Sequence, residues 1–153
     1  MVKGWHIIIS ALLLFSLSGC VSTHLSRTQK IDRVISTARS YTGTPYRYGG
    51  MSKSGIDCSG LLYLSFQSAG ITIPRTAKMQ SRTGKRVYID DLRPGDMIFF
   101  SAKKGKRKIT HAGLVTFRHG NHLIEFIHAS VSQGVTETNL LKSYYRDIFV
   151  KAR

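Results

Sequence analysis

The chain is predicted to be α+β, helical in its first part and antiparallel β in its second. Apolar residues recur at helical spacing from Ile31 to Tyr41 and again from Leu61 to Ala69. A continuous apolar run, Met97-Ile98-Phe99-Phe100, follows a Pro-Gly turn and reads as a buried strand. Two further runs, His111 to Phe117 and Leu123 to His128, flank a short polar loop and read as an antiparallel hairpin. At 153 residues and 42% apolar content there is room for one domain with one core.

The first residues follow a different logic. Lys3 precedes an apolar stretch from Ile7 to Leu17 that is too short for a stable bilayer span, the pattern of a signal peptide over residues 1–19. The stretch ends in Leu17-Ser18-Gly19-Cys20, which resembles the lipobox of bacterial lipoproteins, where the cysteine is diacylated and becomes the new N-terminus. Residues 20–30 then read as the lipidated Cys20 and a polar tether without apolar period, and residues 31–153 as the folded domain. Val21 and Ser22 lack the aspartate that resembles an inner-membrane retention signal, so an outer membrane, where there is one, is the expected site of the anchor.

Charge narrows the partners. The formal net charge is +15, and the loss of Lys3 with the signal peptide leaves the chain strongly basic. Such a charge suggests nucleic acid, but an exported, membrane-tethered chain does not meet it, and anionic headgroups or wall polymers fit better. The densest run, Lys103 to Lys108, reads as a solvated hairpin tip.

Taken in order, the first helix runs from Ile31 and stops at Gly43. A glycine-rich stretch follows, Gly-Thr-Pro-Tyr-Arg-Tyr-Gly-Gly from Gly43 to Gly50, and leads to Cys58. Asp57 is a good N-cap, and Gly70 sits where a helix stop is expected, so the second helix begins at the cysteine. A thiol in the positive field of a helix N-terminus is expected to have a lowered pKa. Ile71 to Thr76 is extended and closed by Pro74, Arg75 and Gln80 are placed at the cleft, and Val87 to Ile89 reads as a brief strand. Residues Tyr144 to Val150 read as a turn and a last strand that closes the sheet.

With one cysteine assigned to lipid, Cys58 has no partner, and an unpaired thiol in an exported chain is buried, paired between molecules or used. Its glycine-rich setting favours use. A nucleophilic cysteine needs a base, and the base needs a group that fixes its tautomer. With a four-residue loop, Arg118 to Asn121, Phe117 pairs with His122 and His111 lies opposite His128 on the same face. His111 is then the base and His128 its orienting neighbour. Tyr46, in the turn before Cys58, is placed to help the Cys58 amide stabilise an oxyanion. His119 and His122 fall in the hairpin loop, and the CxxC or HxxxH spacing of a zinc site is missing.

These segments, with Ile-Pro-Arg-Thr, Leu-Arg-Pro-Gly-Asp-Met-Ile-Phe-Phe, His-Ala-Gly-Leu-Val and Phe-Ile-His-Ala-Ser in this order, resemble the NlpC family of bacterial cell-wall cysteine peptidases, over roughly Ile31 to the C-terminus. The resemblance implies a papain-like α+β fold, the helix with the nucleophile packed on an antiparallel sheet, and no metal or organic cofactor. It implies an endopeptidase that hydrolyses amide bonds in peptidoglycan stem peptides or their cross-links through a thioester, as a lipid-anchored monomer of the cell envelope. It carries the roles of nucleophile, base, third polar residue and oxyanion partner onto Cys58, His111, His128 and Tyr46. Asp57 and Ser59 match positions where some members hold a substrate amine, and Arg75 falls in a motif that shapes the cleft. Ala112 and Thr116 depart from the family's valine and aromatic residue. The alternatives are a peptidoglycan-binding lipoprotein without turnover and an amidase or acyltransferase on the same scaffold.

Overall fold

The computed structural model describes residues 25–153. The expected signal peptide, Cys20 and the tether as far as His24 lie outside the described residues.

The first helix, α1 (Arg27–Arg39), begins four residues before Ile31. Ser26 caps it: its hydroxyl accepts from the Gln29 amide, and the Gln29 side chain accepts from the Ser26 amide. The polar spelling of Arg27 to Lys30, expected as tether, is thus the solvent-facing first turn of a capped helix. Val34, Ile35 and Ala38 form its buried face. The glycine-rich stretch carries a small hairpin, β1 (Met51–Ser52) with β2 (Gly55–Ile56), and runs into α2 (Cys58–Ser68). After the short α3 (Ala77–Gln80), the expected strand at Val87 reduces to a single bridge from Val87 to Ala152, and Ile89–Asp91 is a 3-10 turn.

The second part is one antiparallel sheet of β3 (Met97–Phe100), β4 (His111–His119), β5 (Leu123–Ser130), β6 (Gly134–Asn139) and β7 (Phe149–Ala152), with α4 (Ser143–Ile148) before β7. Its order is β6-β5-β4-β3-β7. The strand β3 is buried on both faces. Met97 and Phe99 pack with Leu114 and Ile127 under α1 and α2, while Ile98 and Phe100 pack with Val115, Phe126, Leu140 and Ile148 on the other side. Each fully buried Phe contributes on the order of 2 to 3 kcal/mol. Among the described residues both apolar clusters are built from residues 31–152, so the domain carries its own core.

The hairpin differs in register from expectation. His119 pairs with Leu123 across a three-residue loop, Phe117 pairs with Glu125, and a bulge between Val115 and Phe117 returns Leu114 to Ile127. Continued by one step, this pairing sets Gly113 rather than His111 opposite His128. The displacement is two residues, and an even slip leaves side chains on the same face. The two histidines therefore still meet.

Candidate active site

Cys58 is the first residue of α2, and the turn before it is held by a saturated carboxylate. Asp57 accepts from the Gly60 amide at 2.6 Å as the N-cap, from the Ser59 hydroxyl at 2.9 Å and from the Gly49 amide at 2.9 Å. Arg75 closes a two-pronged pair on it, Nη1 to Oδ1 at 2.9 Å and Nη2 to Oδ2 at 2.8 Å, and also donates to Ser59 Oγ and to the Gly50 carbonyl. Burial works against the Asp57 charge, but the Arg75, Gly60 and Ser59 hydrogen bonds outweigh it and hold the carboxyl below its usual range. A glycine is required at position 60, where a Cβ would lie 2.6 Å from the Gly50 carbonyl. Gln80 does not line the cleft. It is fully buried, and its amide nitrogen donates to the Ser59 and Pro74 carbonyls, which ties the Arg75 segment to the start of α2.

Cys58 is buried, 7% exposed as a residue. Burial pushes its pKa up to about 11, the Asp57 charge adds to this, and the amides of Ala112, Ser59 and Cys58 itself only partly oppose it. The helix terminus alone leads to the expectation of a lowered thiol pKa, and here the direction is the opposite, because burial and the Asp57 charge raise it more than the backbone amides lower it.

His111 opens β4 beside the thiol, since the Ala112 amide faces the sulfur. Its Nε2 lies 2.9 Å from His128 Nδ1 on β5. The other nitrogen of His128 lies 3.3 Å from the Thr138 hydroxyl and 3.4 Å from the Tyr145 hydroxyl. Burial pushes the His111 pKa down to about 4, and burial with the neighbouring His111 pushes that of His128 down to about 3, so both rings are neutral at neutral pH. Thr138 and Tyr145 join the site without any local sequence signal: β6 is too polar to read as a strand, and α4 delivers Tyr145 from far along the chain.

Two cavities meet at this point. One, of about 420 Å³, is lined by Cys58, Asp57, Ser59, Arg75 and Lys78, and the other, of about 470 Å³, by His111, His128, Ser130 and Tyr145. Tyr46 and Thr110 line both, so the two cavities adjoin, with Cys58 on the wall of one and His111 on the wall of the other. Burial raises the Tyr46 pKa, with the nearby Cys58 and Asp57 adding to it, which keeps the phenol a donor. Asp57 and Ser59 border the cleft with their polar atoms engaged by one another and by Arg75. No three His, Cys, Asp or Glu side chains converge as a metal site among the described residues.

Comparison with known proteins gives the same arrangement a context. The chain is 37% identical over 116 residues to the probable endopeptidase NlpC of Escherichia coli K12, covering 75% of this chain and 71% of that one. It is 44% identical over 83 residues to a gamma-D-glutamyl-L-lysine dipeptidyl-peptidase of Bacillus subtilis, of which it spans 28%. The crystal structure of an NlpC/P60 family protein from Bacillus cereus superposes with a TM-score of 0.72 at 34% identity, covering 80% of this chain and 39% of that one. The NlpC/P60 family model matches residues 43–153, which hold every candidate residue of the cleft, and with that match the chain belongs to the NlpC/P60 family.

Proposed function

We propose that the protein is a cysteine endopeptidase that hydrolyses amide bonds in peptidoglycan stem peptides or their cross-links, held to the cell envelope by a lipid on Cys20. One observation carries the reading: a buried thiol at the first turn of α2 and a hydrogen-bonded pair of histidines line two adjoining cavities. The family and the printed names of the relatives, endopeptidase and dipeptidyl-peptidase, support it.

The chemistry follows from the hydrogen-bond direction. His111 Nε2 is committed to His128, which leaves Nδ1 to take the Cys58 proton as sulfur attacks the scissile carbonyl carbon. A carbon–sulfur bond forms, and negative charge collects on the carbonyl oxygen, where the Cys58 amide and the Tyr46 hydroxyl are the donors. The intermediate collapses with loss of the amine, which takes the proton back from His111. Water, deprotonated by the same ring, then cleaves the thioester to a carboxylate and the free thiol. Because both rings start neutral and the thiol starts protonated, proton transfer accompanies attack and no resting ion pair is required. Arg75, Asp57 and Ser59 hold the turn that aims the sulfur and form the wall of the acyl-side cavity.

The test is to incubate the chain starting at Val21, and its Cys58→Ser variant, with purified peptidoglycan fragments and to identify the products by mass spectrometry. New peptide termini with the unmodified chain only are expected. Retention of the fragments without new termini would replace the reading with a binding module, and transfer of the acyl group to an added amine in place of water would make the protein an acyltransferase.

A further inference from the structure

A cavity of about 640 Å³, larger than either part of the cleft, lies elsewhere on the domain. It is a groove between the start of α1 and the turn before β3, with Ile31, Phe66 and Ile71 in its floor and Arg27, Lys30 and Arg93 at its rim. Gly95, at φ +96°, brings that turn against Ile31, where a Cβ would lie 3.3 Å from the side chain. None of the three rim cations is in an ion pair among the described residues. Asp96, the acidic residue of the lining, is engaged by the Arg93 amide at 2.8 Å. The positive surface continues along the edge strand: Arg153 pairs with Met97 at the same end of β3, and Lys151 has Arg153, Arg82, Arg86 and Arg107 as charged neighbours.

The early start of α1 gives this groove its significance. A flexible tether as far as Lys30 would let the domain range about 35 Å from a lipidated Cys20. With the helix beginning at Arg27 and Leu25 already lining the groove, the span from Cys20 to Leu25 is at most about 18 Å. That is about two Debye lengths at physiological salt, so the α1 end of an anchored domain is kept within reach of the headgroup field. The thiol is at the other end of α2, whose first residue is Cys58 and whose last turns supply Phe66 to the groove, roughly 12 Å along the helix axis.

We propose that this groove and its cationic rim are a docking surface for the phosphate-bearing headgroups of anionic membrane lipids. The apolar floor accepts the glycerol and first acyl carbons, the rim cations face the phosphates, and the docked domain carries its cleft on the end of α2 away from the bilayer. The proposal rests on the lipid-anchored reading for its geometry, but its test does not depend on lipidation or on catalysis.

The test is co-sedimentation of the chain starting at Val21, which contains both apolar clusters, with vesicles containing phosphatidylglycerol and with vesicles of phosphatidylcholine alone. Binding to the anionic vesicles only, weakened by salt, is expected. Arg27→Gln, Lys30→Gln and Arg93→Gln together weaken it on the order of 100-fold, at the usual contribution of one basic residue near an anionic surface. Lys103→Gln, Lys106→Gln and Lys108→Gln together remove the same charge away from the groove and weaken it severalfold at most. Equal loss in the two triple variants, or retention of soluble anionic polymer without vesicle binding, would overturn the proposal. The intact mass of the full chain from membranes tests the anchor separately, since an unlipidated mass refutes the anchor without altering the vesicle result.

Discussion

His111 Nε2 lies 2.9 Å from His128 Nδ1, with the two rings nearly perpendicular at 86°. In that contact one nitrogen donates and the other accepts. Only one direction leaves His111 Nδ1 bare for the proton that the proposed mechanism takes from the thiol: His111 donates to His128, and His128 donates its Nε2 proton onward to Thr138 or Tyr145. The pair is therefore a directed relay whose far end is a hydroxyl cluster.

A relay of this kind ranks the variants. Cys58→Ser and His111→Ala are expected to fold and to lower kcat by about 1,000-fold or more, and His128→Ala by about 10- to 100-fold, because orientation is a smaller contribution than attack or proton transfer. Steady-state rates on a muropeptide, with circular dichroism to confirm folding, check the order.

The hydroxyls at the end of the relay have a smaller effect. Tyr145→Phe leaves Thr138 to accept from His128 and lowers kcat a few-fold. Adding Thr138→Val removes both acceptors and brings the loss to on the order of 10-fold, the cost of about one hydrogen bond. A greater than additive loss in the double variant, measured beside both single ones, identifies the two hydroxyls as alternatives for one proton.

The Asp57 and Arg75 pair is structural in a way that the other ion pairs are not. The Asp57 side chain is 9% exposed, so Arg75→Ala leaves a buried carboxylate without its counterion and costs about 3 kcal/mol by urea unfolding. Lys104→Ala, which breaks an exposed pair with Asp147, costs less than about 1 kcal/mol. Arg75→Lys recovers only part of the loss, since an ammonium cannot satisfy both carboxylate oxygens.

Acid sensitivity follows from the same burial. His111 and His128 have folded-state pKa values depressed to about 4 and about 3, below the ordinary 6.5, so the unfolded chain binds more protons between these limits. Their contribution is intact above pH 6.5 and is lost as the pH falls towards 4 and 3. For His111 the loss is on the order of 3 kcal/mol. Urea midpoints taken across that range should fall steeply for the unmodified chain and less steeply for His128→Gln.

The order of elements, the buried β3, the helix that begins at Cys58 and the meeting of two histidines were legible because each has a local cause: helical spacing, an apolar run, an N-cap aspartate, and alternation along a hairpin. The register was not, since the bulge near Thr116 and the three-residue loop have no local spelling, but the error was even and left both histidines on one face. The start of α1 was obscured because a capped first turn exposed to water is as polar as a tether. The thiol pKa was misjudged because the sequence shows the helix terminus and not the walls around it. Strand β6 and Tyr145 depend on contacts between distant segments, and no residue near either one announces them.

The proposed mechanism turns on a covalent acyl-enzyme between Cys58 and a stem peptide. Acid-quenched intact-protein mass spectrometry during turnover of a muropeptide tests it directly. An adduct with the mass of the acyl fragment is expected, one that maps to Cys58, decays with the rate of hydrolysis and is lost in Cys58→Ser together with activity. Hydrolysis that persists in Cys58→Ser without any adduct would contradict it.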